Sequence, residues 1–387
     1  MANTISVLNP ANWRPIVQDF LNNILVATKI ANTEVRAELA DGDTVNFPQM
    51  SDLRVQSYTQ GTDLTIDALN ASQSALSVDQ SKAVTMAIDP VQERQAKAKY
   101  AMNMAKQAAF RLANQIDKKL LGVGVAGANN TIVGGTPTSS TMYSLFTSAR
   151  AQLFRNNATD GSLWAVLDAA RVALLAQTFV ANGFVLADNF LKNSFSGMAH
   201  GFEVYTSNNL PSSVGLTVSV LPTAGDTFTV YGVTFTFVAT GTATNPGEIS
   251  LGANIGATQP TIVTAINGTG TPGVSTYIDV STDDRRILQN NDVLSSTFSG
   301  DVTTITAVGL IAGSETFTSG SNVFGTETTQ MLFGRQGAIS LGMQMEPNLY
   351  IKDEPKQLAR NYITHTLFGA KVFSRDAFRL VKITHNA

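Results

Sequence analysis

One stretch of about thirty residues constrains the fold more than any other part of the chain. It runs from Asp89 to Leu121 and reads DPVQERQAKAKYAMNMAKQAAFRLANQIDKKLL. Asp89 suits a helix cap and Pro90 suits a first helical turn. The apolar residues that recur at helical spacing are Ala98, Ala101, Ala105, Ala108, Leu112, Ile116 and Leu120. At 1.5 Å per residue, such a helix is ~45 Å long, which few compact domains require.

The glycines that follow this helix match a dinucleotide-binding pattern. The segment GVGVAG, from Gly122 to Gly127, has the spacing Gly-x-Gly-x-x-Gly. That pattern holds a pyrophosphate when a strand precedes the glycines and a helix follows them. Here a long helix precedes them and the polar ANNTIVGGTPTSS follows. We therefore predict that Gly122 ends the helix and that the chain binds no cofactor. A soluble nucleotide-dependent enzyme remains an alternative.

Length and charge limit the classes of protein to which this chain can belong. A chain of 387 residues predicts at least two structural units. Its net charge of -3 gives nucleic acid no bulk attraction, and its charged fraction of 14% suggests that much of its surface is covered by an assembly. Cysteine is absent, so disulfides, thiolate metal sites and cysteine nucleophiles are excluded. We expect a soluble, unexported protein without a membrane span.

The first ninety residues predict two extended pieces. Residues 1–44 contain PIVQDFLNNILVATKI, an amphipathic arm that includes Phe20. Residues 45–89 alternate in polarity through LTIDAL and AVTMAI, with Gln60 and Gly61 as a turn signal. This indicates a long, thin hairpin with too few large apolar residues for a core of its own. To be stable, the hairpin must therefore pack against another surface.

Two further regions carry a mixed α and β pattern. In residues 141–211, MYSLFTSARAQLF predicts a helix, LWAVLD a buried strand leading to a helix capped by Asp168, and GFEVYTSNNLP a strand. In residues 329–387, FGRQGAISLGMQM resumes this pattern, and NYITHTLFGAKVFSRDAFRLVKI alternates like strands around Gly369.

Residues 212–328 differ in composition from their surroundings. No lysine occurs between Lys192 and Lys352, and threonine supplies about a fifth of residues 212–330. TFTVYGVTFTFVA predicts two strands around Gly232, TYIDV and DVTTITA predict further strands, and Pro260 suits the first turn of a helix. We predict a separately folded, β-rich insert that the rest of the chain does not need for folding.

The order of these parts resembles the major capsid protein of tailed bacteriophages, whose shell fold is shared with the herpesvirus capsid floor. The resemblance implies an α+β fold with an N-terminal arm (1–44), an extended hairpin loop (45–89), a spine helix and peripheral domain (90–140), and an axial domain (141–211) that resumes with the peripheral domain in residues 329–387. The insert of residues 212–328 departs from the minimal pattern and sits in the axial half. The family's extended loop lies over a neighbouring subunit, which would supply the surface that the hairpin lacks.

This resemblance also implies function and partners. The chain would assemble with other copies of itself, as hexamers and pentamers, into an icosahedral shell around double-stranded DNA that it binds without sequence specificity. A scaffolding protein, a portal and a decoration protein are possible further partners, and no membrane is involved. The protein would reside in the virion, after assembly in the host cytoplasm. A virion decoration or adhesion protein is a second alternative.

Contact residues follow from the same resemblance. We expect the arm and the hairpin to contact neighbouring subunits. Charged residues near the spine helix could form ion pairs between subunits, although charges on a helix face are usually solvated. The candidates are Phe20, Arg54, Tyr58, Gln60, Gly61, Leu64, Ile66, Lys82, Glu93, Arg94 and Arg360.

Three other candidates for chemistry have simpler explanations. Some shells of this family join a lysine to an asparagine beside a carboxylate, and Lys82, Asn361 and Glu354 are the residues of those types here, although a solvated lysine is the default. Asp279, Asp283 and Asp284 lack the glycine and glutamate of a calcium loop, and a helix cap at Asp283 is favoured. His200 has no triad partner nearby in sequence. We therefore predict no catalytic or metal site.

Overall fold

The computed structural model describes residues 26–33, 44–50, 55–61, 63, 71–88, 99–158, 161–181, 197–295, 300–311, 313–354 and 359–386. Its contacts divide the chain into two compact units. The first unit contains Met1–Gly127 and Gln336–Ala377, and the second contains Ala128–Arg335 and Phe378–Ala387. Each unit is therefore completed by a segment from late in the sequence.

The α-helices among the described residues are α1 (Ala27–Ile30), α2 (Lys99–Gly127), α3 (Met142–Arg155), α4 (Ala169–Ala181), α5 (Ile255–Asn267) and α6 (Thr282–Asn290), with a 3-10 turn at Ala377–Arg379. The strands are β1 (Ala31–Asn32), β2 (Thr44–Met50), β3 (Ala71–Ser77), β4 (Gln80–Ile88), β5 (Asn130–Val133), β6 (Leu163–Leu167), β7 (Met198–Ala199), β8 (Phe202–Thr206), β9 (Pro211–Thr217), β10 (Thr227–Val230), β11 (Val233–Val238), β12 (Glu248–Ser250), β13 (Leu294–Ser295), β14 (Val302–Val308), β15 (Ser314–Thr316), β16 (Val323–Phe324), β17 (Thr328–Arg335), β18 (Ile339–Glu354), β19 (Ala359–Lys371) and β20 (Leu380–Asn386).

Helix α2 confirms the long helix and corrects its end. Ala108, Leu112, Ile116 and Leu120 are all buried, as their spacing predicts. The predicted start at Pro90 lies outside the described residues. The predicted end at Gly122 is wrong, because the helix continues to Gly127. Buried Leu121 and Val125 lie within this last part, and their packing offsets the ~1 kcal/mol that a helical glycine costs.

In the first unit, α2 packs against a four-stranded sheet with the order β1-β18-β19-β4. Strand β19 alternates, so that Tyr362, Thr364, Thr366 and Phe368 are buried. Strand β4, which contains the predicted strand AVTMAI, pairs with β19. Among the described residues of this region, β2 and β3 pair with each other in a two-stranded sheet that does not include β4. The hairpin is thus shorter than the predicted one over residues 45–89, because the sheet takes its last strand.

In the second unit, α3 and α4 pack on a ten-stranded sheet. Its main order is β13-β14-β9-β17-β6-β8-β7, and β20 pairs with both β17 and β5. Strand β6 is buried throughout, as LWAVL predicts. The rings of Phe146, Phe202 and Phe333 meet edge to face in the core, with centroids 5.0 to 6.0 Å apart. Asp168 caps α4 as predicted, since its Oδ1 accepts from the Arg171 amide at 2.7 Å.

Residues 212–328 have a core of their own within this unit. Strands β10 and β11 form the predicted hairpin, with Tyr231 at φ 53° and Gly232 at φ 78°. Two positive φ values are typical of the tight turn that matches strand twist. A second layer comes from β9 and β14, which also belong to the ten-stranded sheet. The buried residues between these layers include Leu216, Phe228, Phe235, Phe237, Ile262 and Ile305.

Three local predictions in this region are wrong. Helix α5 begins at Ile255 and not at Pro260, because Asn254 caps it by accepting from the Ala257 amide at 2.9 Å. The segment TYIDV is not a strand and makes only an isolated bridge between Ile249 and Tyr277. The cap of α6 is Ser281 and not Asp283, since the Ser281 hydroxyl accepts from the Asp284 amide at 3.1 Å. In the first and third cases a side chain slightly earlier in the sequence satisfies the free amides.

Candidate assembly surfaces

The β2–β3 hairpin is anchored at one end by a small apolar cluster. Val45, Leu76 and Phe373 are buried together, and the Phe47 and Phe373 rings meet edge to face at 4.8 Å. Glycine is required beside this cluster. A Cβ at Gly369 would lie 2.1 Å from the Ser77 carbonyl oxygen. The hairpin root therefore rests directly on the backbone of β19.

Beyond the root, residues 55 and 57–61 are exposed. Gln60 and Gly61 form the predicted turn, with Gly61 at φ 89°. The Val55 side chain is fully exposed and Tyr58 is 65% exposed. Apolar side chains presented in this way suit contact with another surface. Among the predicted contact residues, Arg54, Leu64 and Ile66 lie outside the described part.

Two predicted contact residues lie in the four-stranded sheet. Lys82 is half-buried on β4, opposite Thr366 of β19. Arg360 lies on β19 opposite Ile88, and only its backbone is described. In register, Asn361 pairs with Ala87, five positions along β4 from Lys82. The two partners of the candidate cross-link thus lie on opposite faces of one sheet, so within one chain they do not meet.

The segment before the hairpin is held to α2 by a residue that sequence analysis missed. Asp117, itself 3% exposed, accepts hydrogen bonds from the amides of Ala27 at 2.9 Å and Val26 at 3.4 Å. Burial raises the pKa of Asp117 to about 6, and these two bonds oppose the rise. Its sequence signal is an acid four residues after buried Ala113, on the apolar face of a helix.

The arm itself is described only from Val26 onward. Ala27 and Ile30 are buried, and β1 pairs in parallel with the start of β18. The Gly337 amide donates to the Ile30 carbonyl at 3.1 Å. Phe20 of the arm, and Glu93 and Arg94 before α2, lie outside the described residues, so the contacts predicted for them stay predictions.

Comparison with known proteins bears on the fold. No protein-family model matches the sequence, and no curated protein matches it. The chain is similar to a solved structure from Mycobacterium phage Che8, with a TM-score of 0.54 at 13% identity, over 93% of this chain and 90% of that chain. The chain has the fold of a tailed-phage major capsid protein. The predicted α+β class is confirmed with it.

Two further solved structures are similar to this chain at lower TM-scores. One is the capsid of the cyanophage P-SCSP1u, with a TM-score of 0.49 at 12% identity, covering 90% of this chain and 85% of that chain. The other is the asymmetric unit of the bacteriophage PhiM1 mature capsid, with a TM-score of 0.48 at 10% identity, covering 92% of this chain and 88% of that chain.

The glycines of the dinucleotide-like pattern lie within a helix of this fold. Gly122, Gly124 and Gly127 all belong to the last turns of α2, and β5 follows them. The pattern therefore lacks the preceding strand and the following helix that hold a pyrophosphate. A Cβ at Gly127 would lie 2.7 Å from the Val372 Cβ. The last glycine allows close packing.

Of the three acidic residues considered for a metal site, Asp279 and Asp283 pair with arginines, and Asp284 accepts from the Ser281 hydroxyl at 2.7 Å. The Arg285 guanidinium contacts Asp279 and donates to the carbonyls of Ile266 and Ala265 at 2.7 and 2.8 Å. Asp283 pairs with Arg286 at 3.2 Å on the surface. No group of three or more histidine and acidic residues in the described part of the chain is placed to hold a metal ion. No helix described here is long and apolar enough to cross a membrane.

Proposed function

We propose that this chain is a major capsid protein that assembles into hexamers and pentamers of an icosahedral shell enclosing double-stranded DNA. The fold supports the proposal over most of the chain's length. The observation that carries it is the β2–β3 hairpin, whose root cluster holds one end while Val55 and Tyr58 stand exposed beyond it. A two-stranded hairpin alone is marginally stable in water, so we expect a neighbouring copy of the chain to pack against it.

The expected partners follow from this role. Copies of the same chain would bury the hairpin repeatedly around closed rings. A scaffolding protein, a portal and a decoration protein would act during or after assembly, and DNA would be enclosed without sequence-specific contacts. The protein would reside in the virion after assembly in the host cytoplasm. Its proposed role is structural, so no catalytic group is assigned.

Electron microscopy of the purified chain, with its mass measured by light scattering on the same sample, tests this function. We expect shells, tubes, or rings of five and six copies. A species that remains monomeric at every concentration, with and without candidate scaffolding protein, would refute the proposal. Dissociable copies on an otherwise complete shell would favour a decoration or adhesion protein.

The enzyme alternative has its own test. A titration with a dinucleotide such as NAD should show no saturable binding in the micromolar range. Saturable binding that is lost on replacing Gly124 with a bulky residue would favour the enzyme.

We also propose that residues 212–328 form a module on which the rest of the fold does not depend. Its two ends already meet, since the Ser213 and Thr328 hydroxyls are 2.9 Å apart and Ser212 pairs with Thr329. Replacing the module by a short linker should leave a soluble, folded protein, measured by circular dichroism and thermal unfolding. If every one of several linker lengths gave insoluble protein, the module would be required for folding.

A further inference from the structure

Helix α3 has two faces with different roles. Met142, Phe146, Ala149 and Leu153 are buried in the core of the second unit. Tyr143, Arg150 and Phe154 lie on the outward side, at a spacing that places them along one helix face. Tyr143 is 39% exposed and Phe154 is 52% exposed, which is unusual for large aromatic side chains on one helix.

The turn between β7 and β8 completes this surface. His200 adopts φ 52° there, and its carbonyl oxygen accepts from Arg150 Nη1 at 2.9 Å. The rings of His200 and Tyr143 lie 5.2 Å apart, edge to face. Met198, at the start of the turn, is 70% exposed. Two segments far apart in sequence thus form one patch, which we call the α3 patch: Tyr143, Arg150, Phe154, Met198 and His200.

Contacts within the chain position Arg150 and the rings of Tyr143 and His200 in the patch. The Arg150 guanidinium carbon lies 5.4 Å from the Phe154 ring centre, while the same group bonds the His200 carbonyl. A Cβ at Gly201 would lie 3.0 Å from Arg150 Nη1, so a glycine makes room for the arginine. Burial, together with the charge of Arg150, lowers the pKa of His200 and keeps its ring neutral. Rigid side chains lose little entropy on binding.

The composition of the patch is that of a binding hot spot. Tyrosine, arginine, phenylalanine and methionine are the residues enriched at protein interfaces. Helix α3 carries Arg150 and Arg155 and no acid. The acid beside the patch is Glu203 on β8, which lies opposite Met198 and accepts from the Tyr205 hydroxyl at 2.7 Å, so the two arginines outnumber it. Residues 212–328, in contrast, contain nine Asp and Glu residues against two Arg and no Lys, a net charge of -7. Every copy therefore presents both a basic aromatic patch and an acidic module.

We propose that the α3 patch is a contact site for a second copy of this chain, opposite that copy's acidic insert. The proposal rests on the proposed shell function and names a contact distinct from the hairpin. Such a head-to-tail contact uses different surfaces on the two copies, which is the geometry that closes rings.

Assembly of the full chain tests the proposal. We compare wild type with Tyr143→Ala/Phe154→Ala, with Arg155→Glu, and with the exposed Ser148→Ala on the same helix as the matched control. Light scattering against concentration gives the lowest concentration at which rings or shells form. We expect this concentration to rise at least tenfold for the double variant and severalfold for Arg155→Glu, and to stay unchanged for Ser148→Ala. Thermal unfolding of the unassembled chains should be the same for all four.

Each outcome is informative. If the double variant assembles like wild type, the α3 patch is not a contact site. If the double variant is impaired but Arg155→Glu is not, the acidic insert is not its partner and the proposal fails on that point. If wild type itself never assembles, the shell function fails and this contact with it. Unequal thermal unfolding would be resolved by Tyr143→Phe/Phe154→Leu, which keeps bulk and should partly restore assembly.

Discussion

Two hairpins in this protein contrast in how they are stabilised. The β2–β3 hairpin has seven register pairs, and the β10–β11 hairpin has four. The shorter one buries Phe228, Phe235 and Phe237, with the first two rings stacked at 4.9 Å. The longer one buries only Val45 and Leu76 among its described side chains. Strands β12 and β15 also flank β10–β11, whereas β2 and β3 pair only with each other among the described strands. Flanking strands and buried side chains together make the shorter hairpin self-sufficient within the chain.

The largest expected effect comes from removing the core of the self-sufficient hairpin. Phe235→Ala should lower the free energy of unfolding by about 3–5 kcal/mol, because it leaves a cavity among fully buried aromatic rings. Chemical denaturation measures the change. Thr234→Ala, on the exposed side of the same strand, should change it by no more than about 0.5 kcal/mol. Equal effects from both variants would contradict the conclusion that buried aromatic side chains stabilise this hairpin.

A second variant tests how the dependent hairpin is held. Gly369→Ala brings a methyl group against the Ser77 carbonyl and should cost about 1–3 kcal/mol as the hairpin root shifts. Gly122→Ala is the control, because nothing lies within 4 Å of its added Cβ, and within α2 it should stabilise by about 0.5–1 kcal/mol. Thermal unfolding should therefore move in opposite directions. A neutral Gly369→Ala would mean that the root is loosely packed.

The arm segment provides a third case, held by one buried carboxylate. The pKa of Asp117 is about 6 in the folded state against 3.8 ordinarily, so the folded state binds this proton more tightly than the unfolded chain. The contribution of Asp117 to stability therefore falls as pH rises from about 4 to about 6, by up to about 3 kcal/mol, and is constant above that range.

Asp117→Asn should remove this dependence. Urea unfolding of both proteins at several pH values measures it. The stability of Asp117→Asn relative to wild type should increase between pH 4 and 6 and then stay level to pH 8. Parallel curves over the whole range would show that Asp117 is not buried as described.

The smallest effect on the isolated chain is expected at the hairpin turn. Tyr58→Ala should change the free energy of unfolding by less than about 0.5 kcal/mol, because the side chain is exposed. It should nevertheless weaken assembly, since the neighbour loses an aromatic contact. Val133→Ser, an exposed apolar change on β5 outside the hairpin, the α3 patch and the insert, is the matched control for assembly. A large loss of monomer stability would show that the hairpin turn folds back on its own chain.

Local sequence patterns predicted much of this fold, because the elements that they specify depend on residues close to one another in the sequence. The α2 stripe, the buried strand before Asp168 and the paired turn at Gly232 are of this kind. The wrong starts of α5 and α6 came from capping residues slightly earlier in the sequence, Asn254 and Ser281. Other errors arise where packing or a distant strand decides. Gly122 stays helical because its neighbours in α2 are buried, and AVTMAI joins β19 from the far end of the sequence.

Sequence analysis predicted the candidate contact residues less completely than it predicted the elements of the fold. The turn was predicted from Gln60 and Gly61, and Tyr58 was named as a contact residue from the capsid resemblance. Asp117 and the α3 patch were not predicted, since each joins segments far apart in sequence. The amides that Asp117 accepts from are about ninety residues earlier in the chain. The Arg150 partner, His200, is fifty residues later.

The pairing of β20 has a consequence for synthesis on the ribosome. This strand lies between β17 and β5, and the first unit likewise needs β18 and β19 for its sheet. A growing chain therefore cannot complete either unit until these late strands have left the exit tunnel, so early strands wait with open edges. A nascent chain whose β18, β19 and β20 have not yet emerged should then be unable to assemble.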